Sequence, residues 1–119
     1  MLLPFMLNPD VVRLRHMREA ITLAMEMADG RNRLDLARDP MLVMALTRCL
    51  EILGEAASKL SLEVRDRFPD IPFASMTSMR NRLIHAYFEV DLDIVWTTVS
   101  EDLPALIPVL EAALSEIDC

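Results

Sequence analysis

Three side chains within Ser75–Val90, Arg80, Asn81 and His85, are the groups in this chain whose types and spacing suit phosphate chemistry. Arginine presents a planar fork of donors that matches a phosphate and the charge it develops. Histidine moves a proton near neutral pH, and asparagine can orient either partner. The set fits metal-free cleavage of RNA, in which the 2′-hydroxyl attacks the adjacent phosphorus. One group must then take the hydroxyl proton, and one cation must stabilise the crowded phosphoryl centre. No cluster of Asp, Glu and His has metal-ligand spacing, and Cys49 and Cys119 form no CxxC pair, so neither a metal nor another cofactor is expected.

Each residue of a helix turns by about 100°. With Arg80 as origin, Met76, Met79, Leu83, Ile84, Ala86 and Tyr87 fall on one broad apolar side, and Arg80 projects from its middle. Asn81 and His85 share the adjacent edge, with Ser78 and Arg82 beyond. A charge at a core-facing position is costly unless it is paired. Arg80 and His85 lie about 140° apart on a regular helix, so one helix does not aim both at one point. A second copy across a two-fold axis would supply the rest, which points to a homodimer.

The elements that must position these groups read as helices. Asn8-Pro9-Asp10 starts the first, with apolar residues at helical spacing from Leu14 to Ala28 and a stop at Gly30. Residues 31–38 read as a polar connector. Asp39-Pro40 repeats the cap-then-proline signal for a second helix ending near Lys59. Ser61 to Phe68 forms a short extra helix closed by Pro69-Asp70-Ile71-Pro72. A third long helix runs from Phe73 or Ser75 to Phe88. Asp91 caps the last, in which Pro104 and Pro108 predict a kink or break near Ser100–Pro104. The expected fold is all-α: one domain over residues 1–119, four main helices in an antiparallel-type bundle, the last kinked near Pro104.

Composition agrees. Of 119 residues 53% are hydrophobic, with only two glycines, nine methionines and six aromatics, which excludes Gly-rich phosphate loops and favours packed helices. No stretch suits a membrane span or a secretory leader, so a cytoplasmic protein with free thiols is expected. The net charge is −7, yet residues 1–90 hold twelve basic and twelve acidic residues, and residues 91–119 hold seven acidic ones and no Lys or Arg. The acidic total therefore does not argue against RNA at the Arg80 helix; it predicts which flank RNA avoids.

Arg80-Asn81-Arg82-Leu83-Ile84-His85-Ala86-Tyr87-Phe88 resembles the R-x4-H-x-Y motif of HepT-like toxins, within the HEPN superfamily. The flanks resemble that family too: Leu50-Glu51-Ile52-Leu53-Gly54-Glu55-Ala56-Ala57, Phe68-Pro69-Asp70-Ile71-Pro72, Val90-Asp91-Leu92-Asp93-Ile94-Val95-Trp96 and Asp102-Leu103-Pro104. Ala86 stands where the family has Gly, and Phe73 where Trp is common. The resemblance implies a helical homodimer acting as a metal-independent endoribonuclease with its site between protomers. Arg80 would stabilise the phosphate, His85 act as acid/base and Asn81 position substrate or His85. It also implies a minimal nucleotidyltransferase antitoxin that attaches AMP to Tyr87, placing charge and bulk beside the RNA site. Arg82 is a candidate RNA contact or a solvated arginine. The plainer readings are a polar network bracing a dimer for Arg80, Asn81 and His85, and a tethered core tyrosine for Tyr87. His16 and Arg31, Arg33 and Arg38 read as surface, and Glu55 as a packing or polar-network residue. A non-catalytic subunit that docks a nucleotidyltransferase or nucleotide is the alternative function.

Overall fold

The computed structural model describes residues 8–85 and 91–117, with the backbone alone at Ile84 and His85. The described elements are α1 (Pro9–Ala28), α2 (Arg33–Arg38), α3 (Pro40–Ser58), α4 (Leu62–Arg67), α5 (Phe73–His85), α6 (Leu92–Thr97), a π-helical turn (Thr98–Asp102) and α7 (Leu103–Ile117). Four long helical runs therefore make the bundle, the last being α6, the π turn and α7 in sequence. Helix α3 is its centre: it packs along both α1 and α5, and α7 closes on α1.

Local chemistry explains the starts. Asn8 Oδ1 accepts from the Asp10 amide at 2.9 Å, Asp39 Oδ1 from Leu42 at 3.1 Å, and Asp91 Oδ1 from Asp93 and Ile94 at 3.0 and 3.1 Å. Proline follows the cap in α1 and α3, where its missing N–H would have had no partner. Gly30, at φ +74°, takes the left-handed conformation that turns the chain after α1. The core is built from Leu14, Met17, Ile21, Leu46, Leu50, Val95, Val99, Leu103 and Leu110, all nearly or wholly buried.

One departure from the sequence expectation, and the form taken by one expected irregularity, have clear causes. Residues 33–38 are a helix rather than a connector, because Asn32 and Asp35 form a reciprocal capping box and Leu36 is buried. A second short helix thus joins the expected one at Leu62–Arg67. The irregularity expected near Pro104 lies at Thr98–Asp102, where the Leu103 amide bonds five residues back to the Thr98 carbonyl. Pro104 has no amide to offer Ser100, and its ring crowds that carbonyl; widening the preceding turn relieves both. The third long helix is described to His85, and its expected continuation through Phe88 lies outside the described residues.

One tie matters for the site. Asp10 accepts from the Ser61 amide at 2.9 Å and from its hydroxyl at 2.8 Å, pinning the start of α1 to the turn after α3. Arg65 Nη2 donates to the terminal carbonyls of α3, Ser58 at 2.9 Å and Ala57 at 3.3 Å. The first turns of α1 and the last turns of α3 are thereby held side by side.

Candidate active site

Arg80 lies where α5 packs tightly against α3, and Gly54 makes the approach possible. A Cβ on Gly54 would stand 2.3 Å from Arg80 Cβ and 2.6 Å from the Met76 carbonyl oxygen, both far inside contact distance. The glycine's neighbour Glu55 then receives the arginine: Arg80 Nη1 donates to Glu55 Oε2. The side chain of Arg80 is only 18% exposed, and this ion pair is the compensation that a half-buried charge on an apolar stripe requires. Glu55, expected as a packing or polar-network residue, forms that network with Arg80.

Glu55 is shared. Lys59 Nζ lies 3.1 Å from its other oxygen, one helical turn along α3. The Lys59 hydrogen bond holds the Glu55 carboxyl below its usual range, with the charges of Lys59 and Arg80 adding to it and partial burial opposing. Two cations thus share one carboxylate. The buried Nε of Arg80 has no acceptor among the described residues, so most of the guanidinium's five donors are committed to no described residue.

Beside this pair opens a cleft of about 820 Å³ between α1, α3 and α5. Its polar lining is Arg13 and His16 from α1, Arg48, Glu51 and Glu55 from α3 with Lys59 capping that helix, and Arg80 from α5, over a floor that includes Val12, Ile52 and Ala56. Four permanent cations face two carboxylates. His16, expected on the plain surface, is exposed but belongs to this cleft. The signal that could have found these residues is helical spacing: 48, 52, 55 and 59 lie along one face of α3, as 13 and 16 do on α1.

The other candidates on α5 stand as follows. Asn81 and Arg82 are exposed, next in the chain to Arg80 and at the solvent side of the helix. His85 is placed by its backbone one turn beyond Asn81 on the same helix. Tyr87 lies outside the described residues. Arg31 and Arg33 do not line the cleft: they pair with Asp39 at 3.4 Å and Asp93 at 2.6 Å. Among the described residues no group of three His, Cys, Asp or Glu is placed to hold a metal ion, and the buried Cys49 thiol is pushed up by burial, which keeps it protonated. No helix of the described residues is long and apolar enough to cross a membrane.

The acidic C-terminal region stays off the cleft. None of the residues lining it comes from 91–117, and three carboxylates of that region bind arginines elsewhere: Arg33–Asp93 at 2.6 Å, Arg18–Glu111 at 3.3 Å and Arg67–Glu116 at 3.7 Å.

Comparison with known proteins places the chain in a family. The family described as ribonuclease HepT-like matches residues 17–113. A protein of Caldanaerobacter subterraneus subsp. tengcongensis, provisionally named an RNase, is 36% identical over 93 residues, 78% of this chain and 83% of its own length. A protein of Thermococcus cleftensis, provisionally named ribonuclease HepT, is 43% identical over 72 residues, 60% of this chain and 66% of its own. A provisionally named RNase of Methanocaldococcus jannaschii is 39% identical over 74 residues, 62% of this chain and 61% of its own. The matched segment thus spans slightly under two thirds of two of these three relatives. No solved structure matches the chain.

Proposed function

Because the chain belongs to the HepT-like ribonuclease family, we propose that it is a metal-independent endoribonuclease, the toxin of a toxin–antitoxin pair acting in the cytoplasm. The observation that carries this reading is Arg80, a guanidinium held by Glu55 at the edge of a cationic cleft, on the helix that also bears Asn81 and His85. In the reaction the 2′-oxygen forms a bond to phosphorus and the bond from phosphorus to the 5′-oxygen breaks. His85 takes the 2′-hydroxyl proton or supplies one to the leaving 5′-oxygen; Arg80 stabilises the charge gathered on the phosphoryl oxygens. The products are a 2′,3′-cyclic phosphate and a 5′-hydroxyl. Asn81 positions substrate or His85, and Arg82 contacts RNA phosphate.

The active unit in this reading is a homodimer. It is supported by the angle between Arg80 and His85 on one helix and by exposed apolar side chains on α3, Met41 at 79% and Met44 at 72%, which a monomer gains nothing by displaying. A minimal nucleotidyltransferase serves as antitoxin by transferring AMP to the Tyr87 hydroxyl, and the added phosphate repels RNA beside the site.

Purified chain, freed of partner and of any Tyr87 adduct, is expected to cut RNA in excess EDTA. His85→Ala should lose cleavage and keep the dimer mass. An unmodified wild type that is inert on RNA but binds its nucleotidyltransferase would make it a docking subunit instead. For the modification, intact mass after co-expression should rise by one or more AMP units mapping to Tyr87; an unchanged mass rules it out.

A further inference from the structure

The cleft extends well beyond Arg80. At about 820 Å³ it is the size of sites that enclose a whole organic ligand (roughly 300–1,000 Å³), far more than one phosphate fills. Its far wall carries Arg13 and His16, three residues apart on α1 and so on one face of that helix, with Arg48 facing them from α3.

The cations of the cleft are only partly matched by carboxylates, whereas several arginines elsewhere are fully paired. Outside the cleft Arg18, Arg31, Arg33 and Arg67 are each matched by a carboxylate. Inside it Glu55 is already shared by Lys59 and Arg80, and Glu51 meets Arg48 at 3.3 Å in a pair whose arginine is 70% exposed. Such an exposed pair is weak and readily exchanged for a better anion. Arg13 is half-buried yet has no hydrogen-bond or ion-pair partner among the described residues, and neither has His16. A chain with net charge −7 thus keeps a concave locus with two cations in excess, walled by apolar Val12, Ile52 and Ala56, which would otherwise favour neutralisation.

We propose that Arg13, His16 and Arg48 form a phosphate track that holds the RNA strand on one side of the scissile linkage and delivers it to Arg80. The occupant is a flexible single strand: the cations line a cleft rather than a convex ridge, and the backbone of a single strand can follow such a groove. The track rests on the reading of Arg80 as the scissile-phosphate group, and supplies what that reading lacks, a hold on the neighbouring nucleotides.

The test measures binding apart from chemistry. The probe is a single-stranded oligoribonucleotide with 2′-O-methyl groups, which removes the attacking hydroxyl; affinity is followed by fluorescence anisotropy from about 50 to about 200 mM KCl. Each phosphate neutralised on a single strand contributes about 0.7 to the slope of log affinity against log salt. The Arg13→Gln/Arg48→Gln double variant should therefore bind more weakly and lose about 1.4 of that slope. Arg31→Gln, remote and paired with Asp39, should match wild type. His16→Gln should weaken binding less than the double variant, and thermal unfolding should show all variants folded.

If wild type cleaves RNA while the double variant keeps the wild-type slope, the track is overturned and the nuclease reading stands. If wild type binds the probe, the double variant loses the slope and yet no RNA is cut, the nuclease reading falls, and with it the delivery to Arg80, while Arg13 and Arg48 stand as a hold on single-stranded RNA. A wild type that does not bind the probe overturns the track. So does a double variant that keeps the slope and loses dimer mass, since the partner protomer would then cover the cleft.

Discussion

Helix α5 borders two hollows with opposite linings. One is the cleft of about 820 Å³ where Arg80 meets Arg13, His16, Arg48 and Lys59. The other, about 390 Å³, lies on a different side of α5, against α3, the π turn and α7. It is lined by Leu50, Leu53, Met76, Met79, Leu103 and Leu106, with Glu101 and Asp102 and no Lys or Arg. The same helix therefore presents its arginine to one hollow and its methionines to the other. A phosphate entering the second would meet two exposed carboxylates and no donor cation. The difference shows how an acidic chain can take a polyanion: its excess carboxylates are gathered in the last quarter of the sequence, and none of the described residues of that quarter lines the cleft.

The sharpest way to break the contrast is to remove its central cation. Arg80→Ala should lower cleavage by roughly 10²–10³-fold, the usual cost of losing one group that stabilises transition-state charge. Steady-state rates in EDTA check this, and a variant within a few-fold of wild type would take Arg80 out of the chemistry.

Next in size is Gly54→Ala. In an ordinary helix interior this change is favourable by about 1 kcal/mol. Here the new Cβ would meet Arg80 Cβ at 2.3 Å and, at 2.6 Å, a backbone carbonyl of α5 that cannot rotate away. The expected sign is reversed, a loss of roughly 1–3 kcal/mol from overpacking. Chemical denaturation measures it, and activity should fall with it because α5 must move off α3.

Glu55→Gln keeps the shape and removes the charge that Arg80 and Lys59 share. Because the folded carboxyl is held below its ordinary value of about 4.3, its contribution to stability is present above that pH and disappears as pH falls through the lower folded value. Wild type should accordingly melt higher than Glu55→Gln near neutrality, and the two curves should converge in acid. Parallel Tm-against-pH curves would contradict the assignment. The smallest effect belongs to the other hollow: Glu101→Gln/Asp102→Asn should change RNA affinity less than about two-fold, in line with exposed sites away from special contacts. A large change there would erase the distinction between the two sides of α5.

Much of this was legible in the residues. Asn8, Asp39 and Asp91 cap as local chemistry demands, because a cap is settled within three residues of chain. Arg80 stood out as a charge on an apolar stripe that needed a partner. The partner itself was not readable, since Glu55 is 25 positions away and the crossing that joins them depends on Gly54. His16 was placed on the surface correctly, but a helical wheel for α1 alone does not show that the exposed edge borders α3 and Arg80. Residues 31–38 looked like a connector because three arginines dominate them, and the Asn32–Asp35 box with one buried leucine outweighed that polarity. The proline signal located the weak point of the last helix to within a turn; whether strain appears as a kink or as a widened turn depends on the packing of Val99 and Leu103.

Metal-free phosphoryl chemistry at the Arg80 side of α5 is tested most directly by end-group analysis of RNA incubated in EDTA with unmodified wild type and with Arg80→Ala. The wild type should leave 2′,3′-cyclic phosphate and 5′-hydroxyl ends, and the variant almost none. Intact RNA with the folded, unmodified wild type, or the same ends at the same rate from both proteins, would contradict it.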